Sequence, residues 1–306
     1  MEFGRVSERL LSHIDFKLPK DPSSNNSFLI GRKINSPRVH IGCSKWGRSE
    51  WIGKIFPYKT EEKDYLENYA KCYNGIELNT THYKIHSSRT IGKWAEKTSR
   101  QNFVYCPKMF KEITHEGSLY GKKHITDNFI AGIAAFEEQL GPILIQLNES
   151  FSPKKINELF DYLKSLPTKY QFFVEIRHSE WFTNEAARNE LITFLKENKI
   201  GLIITDTSGR RDCLHMQLTV SKAFIRYVGN GTHSSDYTRI DEWIDRIKLW
   251  IDNGIEEIYF FMHLQDEQNF PEISGYMIDK LNDVCGLNIR RPEPVKKKRS
   301  LFQLFF

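Results

Sequence analysis

Eight short apolar runs recur along the chain, on average roughly thirty residues apart. They are VHIGCS from Val39, GIEL from Gly75, FVYCPK from Phe103, ILIQL from Ile143, FFVEIR from Phe172, GLIITD from Gly201, AFIRYV from Ala223 and IYFFMH from Ile258. None alternates strictly between apolar and polar, so each reads as a strand buried on both faces, as in a parallel sheet covered by helices.

Segments of helical period lie between the runs. Tyr65, Leu66, Tyr69, Ala70 and Tyr73 share one face. Asp127 is placed to cap a helix carrying Phe129, Ile130 and Ile133, ended by Gly141-Pro142. Ser152-Pro153, Thr183 and Thr238 are the expected starts of three more helices, and Gly254 fits the position just past the last one. The sixth unit is the weak one, because Arg210 to Thr219 is short and poorly periodic. The pattern predicts an α/β fold: a single closed (β/α)8 TIM-type barrel over residues 38–286, with its site at the C-terminal ends of the strands. Residues 1–37 read as an N-terminal arm packed on that barrel. Residues 287–306 read as a flexible, basic, proline-containing tail.

Composition narrows this picture little. The 306 residues carry a net charge of +5, which permits phosphate or nucleic-acid ligands without requiring them. Five scattered cysteines form no CxxC pair, and no apolar run is long enough to span a bilayer. The expectation is a cytoplasmic protein without a membrane partner. P-loop, GxGxxG, GxSxG and kinase signatures are lacking, and the cofactor is left open.

Charged residues inside otherwise apolar strands are the candidate chemistry, since they are costly unless paired or used in a site. Glu77, Glu175 and Asp206 are the candidate catalytic carboxylates. Lys108, Arg177 and Arg226 are the candidate anion ligands, and Glu175 and Arg177 fall on one side of their strand. Trp46, Tyr83, His178 and Trp181 follow strands in loops and are candidate ligand contacts. A structural ion network is the competing reading of the charges, and core packing is the competing reading of the aromatics. His82, His115, His178 and His263 could join the carboxylates around a divalent metal, but no HxH, HxxxH or HExxH spacing indicates one. Gly229-Asn230-Gly231 falls where barrels often seat a phosphate.

The segments IGCSKWGRSEWIGKIFP, IELNTTHY, FVYCPKMFKEITH, GPILIQL, VEIRHSEWF, IITDT and IRYVG, in this order, resemble the YecE-like family (domain of unknown function 72). The resemblance runs from Val39 to about Leu281 and implies a TIM-type barrel with a pocket, but no particular reaction. The chain departs from the family pattern at Val228, where a histidine is common, and at Met262 to Gln265, where an Asn-rich segment is common.

The last residues are similar to the Gln-Leu-x-Leu-Phe peptides of bacterial sliding-clamp ligands, with Gln303, Leu304 and Phe306 as anchors beside the basic KKKR run. The leading functional expectation is an enzyme acting on a phosphorylated small molecule or nucleic acid, such as a phosphodiester or phosphate-ester hydrolase using carboxylate acid–base chemistry. A non-catalytic anion-binding module tethered to a partner is the alternative. An isomerase or aldolase with a Schiff base on Lys108 stands third.

Overall fold

The computed structural model describes residues 3–295. A parallel strand forms at each of the eight runs: β1 Arg38–Cys43, β2 Gly75–Leu78, β3 Val104–Pro107, β4 Ile143–Gln146, β5 Phe172–Glu175, β6 Gly201–Asp206, β7 Lys222–Gly229 and β8 Glu257–Leu264. One continuous eight-strand ladder was the expectation. The hydrogen bonding instead gives a curled six-strand parallel sheet, half a barrel, in the order β1-β8-β7-β6-β5-β4, and a separate pair β2-β3.

Two junctions flank that pair, and each has a local cause. Between β1 and β2 the Asn74 side chain takes the place of a peptide group. Its Oδ1 accepts from the Ile41 amide at 2.8 Å and its Nδ2 donates to the Val39 carbonyl at 2.8 Å. The Tyr69 hydroxyl bridges the same gap, accepting from the Cys43 amide at 2.9 Å and donating to the Gly75 carbonyl at 3.2 Å. The backbones come so close here that a Cβ on Gly42 would stand 2.0 Å from the Gly75 oxygen, which only glycine permits. Between β3 and β4 isolated bridges at Tyr105–Leu140 and Lys108–Leu144 replace a ladder.

Alternation along the strands sorts the interior into layers. Cys106, Leu144, Phe173, Ile203, Phe224 and Phe261 belong to one apolar cluster. Two residues further along each chain stand Lys108, Gln146, Glu175, Thr205, Arg226 and His263, so a polar layer lies directly above the apolar one. A larger apolar cluster fills the space between the sheet and its helices.

The helices form where the periodicity places them, but their starts differ. The helix Lys123–Ile133 begins a turn before Asp127, whose carboxylate pairs with Lys123 across one turn. The helix Ser234–Asp252 contains Thr238, whose hydroxyl bonds back to the Ser235 carbonyl. Asn184, one residue past Thr183, caps the helix Glu185–Glu197. The sixth unit has only a 3-10 turn at Arg211–Cys213, and the N-terminal arm fills the slot. There Asn25 donates to the Met216 carbonyl and accepts from the Leu218 amide.

The arm is a strap along the outside. It runs from Phe3 and Gly4 at the β6 loop, past Leu18 on Glu242 and Asp21 on Arg246 and Trp250, to the Gly31 amide on Asn253. The start of the tail differs from the expected solvated linker. Leu287 and Ile289 pack on the core and the Val295 amide reaches the Lys54 carbonyl, so residues 287–295 lie on the barrel. Gln303, Leu304 and Phe306 lie outside the described residues. Among the described residues no helix is long and apolar enough to cross a membrane.

Candidate functional site

A cavity of about 670 Å³ opens at the C-terminal ends of the strands. Its wall takes Ser44 to Gly47 from the β1 loop, Asn79, Thr80, His82 and Tyr83 from the β2 loop, and Lys108, Gln146, Arg177, Arg226, His263 and Glu267 from the other strand ends.

Arg226 organises the floor. It is fully buried, and its Nε and Nη2 each donate to Glu77 at 2.8 Å while Nη1 donates to Glu175 at 2.6 Å. Glu175 also accepts from Arg177 Nε at 3.0 Å, the Thr205 hydroxyl at 3.0 Å and Gln146 Nε2 at 2.6 Å. His263 Nε2 lies 2.9 Å from Glu77, and Lys108 Nζ donates to Gln146 Oε1 at 2.7 Å. A hydrogen-bonded chain therefore links β2, β3, β4, β5, β6, β7 and β8 around one centre.

The electrostatics follow from this wiring. Burial alone would raise the Glu77 carboxyl, but Arg226 and His263 hold it well below the usual range. Burial is likewise overridden at Glu175, where Arg177 and Arg226 bring the pKa down to about 2. Burial, with Arg226 beside it, lowers the Lys108 ammonium to about 7 despite Glu77 and Glu175. Burial and Lys108 lower His82 to about 4. His82 Nδ1 is 2.7 Å from the Met109 carbonyl, which can only accept, so the proton sits on Nδ1 and Nε2 keeps its lone pair at neutral pH.

Several expected site residues are placed elsewhere or differently. Glu77 and Glu175 do not line the cavity, and all four of their oxygens already accept from buried donors. They lie beneath the cavity wall, held by these donors. Asp206 pairs in register with Tyr227 while Thr205 pairs with Arg226, so Asp206 faces the helices. There it meets Arg239 at 2.9 Å, Arg211, and Trp243 Nε1 at 2.8 Å.

Trp181 is fully buried and donates to the Phe151 carbonyl at 2.8 Å, a core role. His178 accepts from the Glu180 amide at 3.2 Å at the start of a short helix and does not line the cavity. In the glycine-containing loop after β7 the Asn230 amide is already held by both Asp236 oxygens, at 3.0 and 2.9 Å. Among the described residues no group of three His, Cys, Asp or Glu side chains could hold a metal ion.

Trp46, Tyr83, Lys108, Arg177 and Arg226 do line the cavity. Tyr83 is 69% exposed at its rim. Gln146 and Asn79 were not expected as site residues. Gln146 was legible as a polar residue inside an apolar strand, two positions past Leu144. Asn79 Oδ1 is buried with no hydrogen-bond partner among the described residues, an acceptor on the cavity wall without a donor.

Comparison with known proteins places the chain in a family. The chain is similar to the UPF0759 protein YecE of Escherichia coli K12, 23% identical over 253 residues, 77% of this chain and 89% of that protein. It is 24% identical to the UPF0759 protein YunF of Bacillus subtilis 168 over 152 residues, 47% of this chain and 52% of that one.

Two crystal structures of DUF72 family proteins share the fold. One, from Enterococcus faecalis V583, has a TM-score of 0.64 at 15% identity, covering 83% of this chain and 100% of that one. The other, from Thermotoga maritima MSB8, has a TM-score of 0.61 at 23% identity, covering 80% and 99%. The family model described as "Protein of unknown function DUF72" matches residues 40–297, leaving out the whole N-terminal arm, and the chain belongs to that family.

Proposed function

We propose that the two sheets act as one eight-strand barrel whose mouth binds a phosphorylated small molecule. The anion sits against Arg177 and Lys108, and the body of the ligand lies between Trp46 and Tyr83. The charge of the cavity wall carries this reading. Lys108, Arg177 and Arg226 line it, whereas the carboxylates that balance Arg226 lie beneath. Glu267 is the one carboxylate lining the cavity among the described residues, and Lys45 stands 3.2 Å from it. A wall carrying these cations favours an anion, and a guanidinium suits phosphate geometry. The unpartnered Asn79 oxygen supports a ligand that also carries a hydroxyl or amino donor.

If the protein turns its ligand over, Lys108 and His82 are the proton-transfer groups facing the cavity, because the buried carboxylates stay ionised near neutral pH. Calorimetric titration with adenosine 5′-monophosphate and with adenosine tests the reading. The monophosphate should bind while adenosine does not, and Arg177→Met should weaken binding about tenfold or more. Equal binding of the two compounds would overturn it. Binding without conversion of any phosphate ester would favour a non-catalytic module.

A further inference from the structure

Lys108 is a buried primary amine, 8% exposed, on the cavity wall, and it makes no ion pair among the described residues. Its partner is the neutral amide of Gln146, whose orientation is fixed from behind. Gln146 Nε2 must donate to Glu175, so Oε1 must face Lys108 and take one of its N–H groups. Both buried glutamates are committed to Arg226, Glu77 also to His263 and Glu175 also to Arg177, Thr205 and Gln146, so no carboxylate pairs with the amine. In its unprotonated form, an amine held in this way keeps its lone pair for the cavity. The lowered proton affinity of Lys108 agrees with that geometry.

We propose that Lys108 forms an imine with a carbonyl group of a phosphorylated ligand. This rests on the anion-binding reading above, with Arg177 holding the phosphate. The Nζ lone pair attacks the carbonyl carbon and forms the C–N bond, while the carbonyl π pair moves to oxygen, which takes up a proton. The nitrogen then loses one proton and its restored lone pair expels the protonated hydroxyl as water, after which the iminium loses its last N–H proton and a neutral C=N bond remains. Amine and carbonyl give imine and one water, with no oxidant or reductant. His82 Nε2, unprotonated and on the same wall, accepts a proton in the first half of the sequence and returns it in the second.

Pyridoxal 5′-phosphate, which carries both an aldehyde and a phosphate, is a suitable probe. The full chain is mixed with one equivalent, reduced with borohydride and mapped by peptide mass. The expected result is a stable label on the Lys108 peptide, lost when adenosine 5′-monophosphate is in excess and lost in Lys108→Met with its circular dichroism unchanged. Mapping the unmodified chain keeps the test decisive even if that variant fails to fold. Label confined to exposed lysines while adenosine 5′-monophosphate still binds would overturn the imine and leave the anion site standing. Label on Lys108 that the monophosphate does not displace would support the imine and remove the anion reading.

Discussion

Arg226 and Glu77 meet as a two-pronged pair, Nε and Nη2 each 2.8 Å from a carboxylate oxygen, with both side chains fully buried. The pair ties β7 to β2, which share no ladder, so it carries part of the connection between the two sheets. Removing one member leaves an uncompensated buried charge. Glu77→Gln is therefore expected to lower the unfolding free energy by about 3–5 kcal/mol, read from urea denaturation. The Glu77→Met/Arg226→Met double variant should lose less than the sum of the single changes. Additive losses would mean that the two residues are not coupled.

Lys108 should act in the opposite direction. Its folded pKa of about 7 lies below the ordinary 10.5. Between these values the unfolded chain binds more protons, so stability from this group rises with pH through that window. Below about pH 7 the full cost of burying the ammonium is present. Lys108→Met is thus expected to be more stable than the parent by about 2–4 kcal/mol near pH 6, with the gap closing toward pH 10. A gap that stays constant with pH would place its origin in packing.

Phe3 lies over two guanidinium groups, its ring centre 4.3 Å from Arg177 and 5.1 Å from Arg210. The Gly209 amide donates to the Gly4 carbonyl beside it at 2.7 Å. Such stacking contributes on the order of 1 kcal/mol and holds the face of the Arg177 guanidinium against the arm. Phe3→Ala should speed hydrogen exchange at Gly209 and weaken adenosine 5′-monophosphate binding about fivefold. Faster exchange with unchanged binding would confine Phe3 to anchoring the arm.

Asp206→Asn separates the outer charge cluster from the cavity. The substitution leaves Arg239 and Arg211 short of a carboxylate and should cost about 3–5 kcal/mol of stability. Phosphate-ligand affinity at low temperature, where the variant remains folded, should be unchanged. A loss of affinity would return Asp206 to the site.

The strands were legible because burial on both faces makes continuous apolar runs, and all eight formed where those runs lie. The inner polar layer was legible for a similar reason. Glu175, Arg226 and Lys108 interrupt such runs two residues past an apolar position. Asp206 ends its strand just as visibly, but it has the opposite parity, and choosing residues by strand end ignores parity. Trp181 and His178 follow a strand in sequence, yet tight turns fold them into the core and onto a helix start. The breaks beside β2 could not be read, because they depend on Asn74 and Tyr69 meeting partners on another strand. The arm's occupation of the sixth helix slot is a contact of the same long-range kind.

Those breaks give the molecule an uneven stiffness. Pulling any strand out of the six-strand sheet means breaking rows of peptide hydrogen bonds. The β2–β3 panel is fastened at its margins chiefly by one amide side chain, one phenol, isolated bridges and the salt link to Arg226. Elastic give is therefore concentrated at that panel, which carries Asn79, His82, Tyr83 and Lys108. One side of the opening is thus fastened independently of the ladder that joins the other six strands.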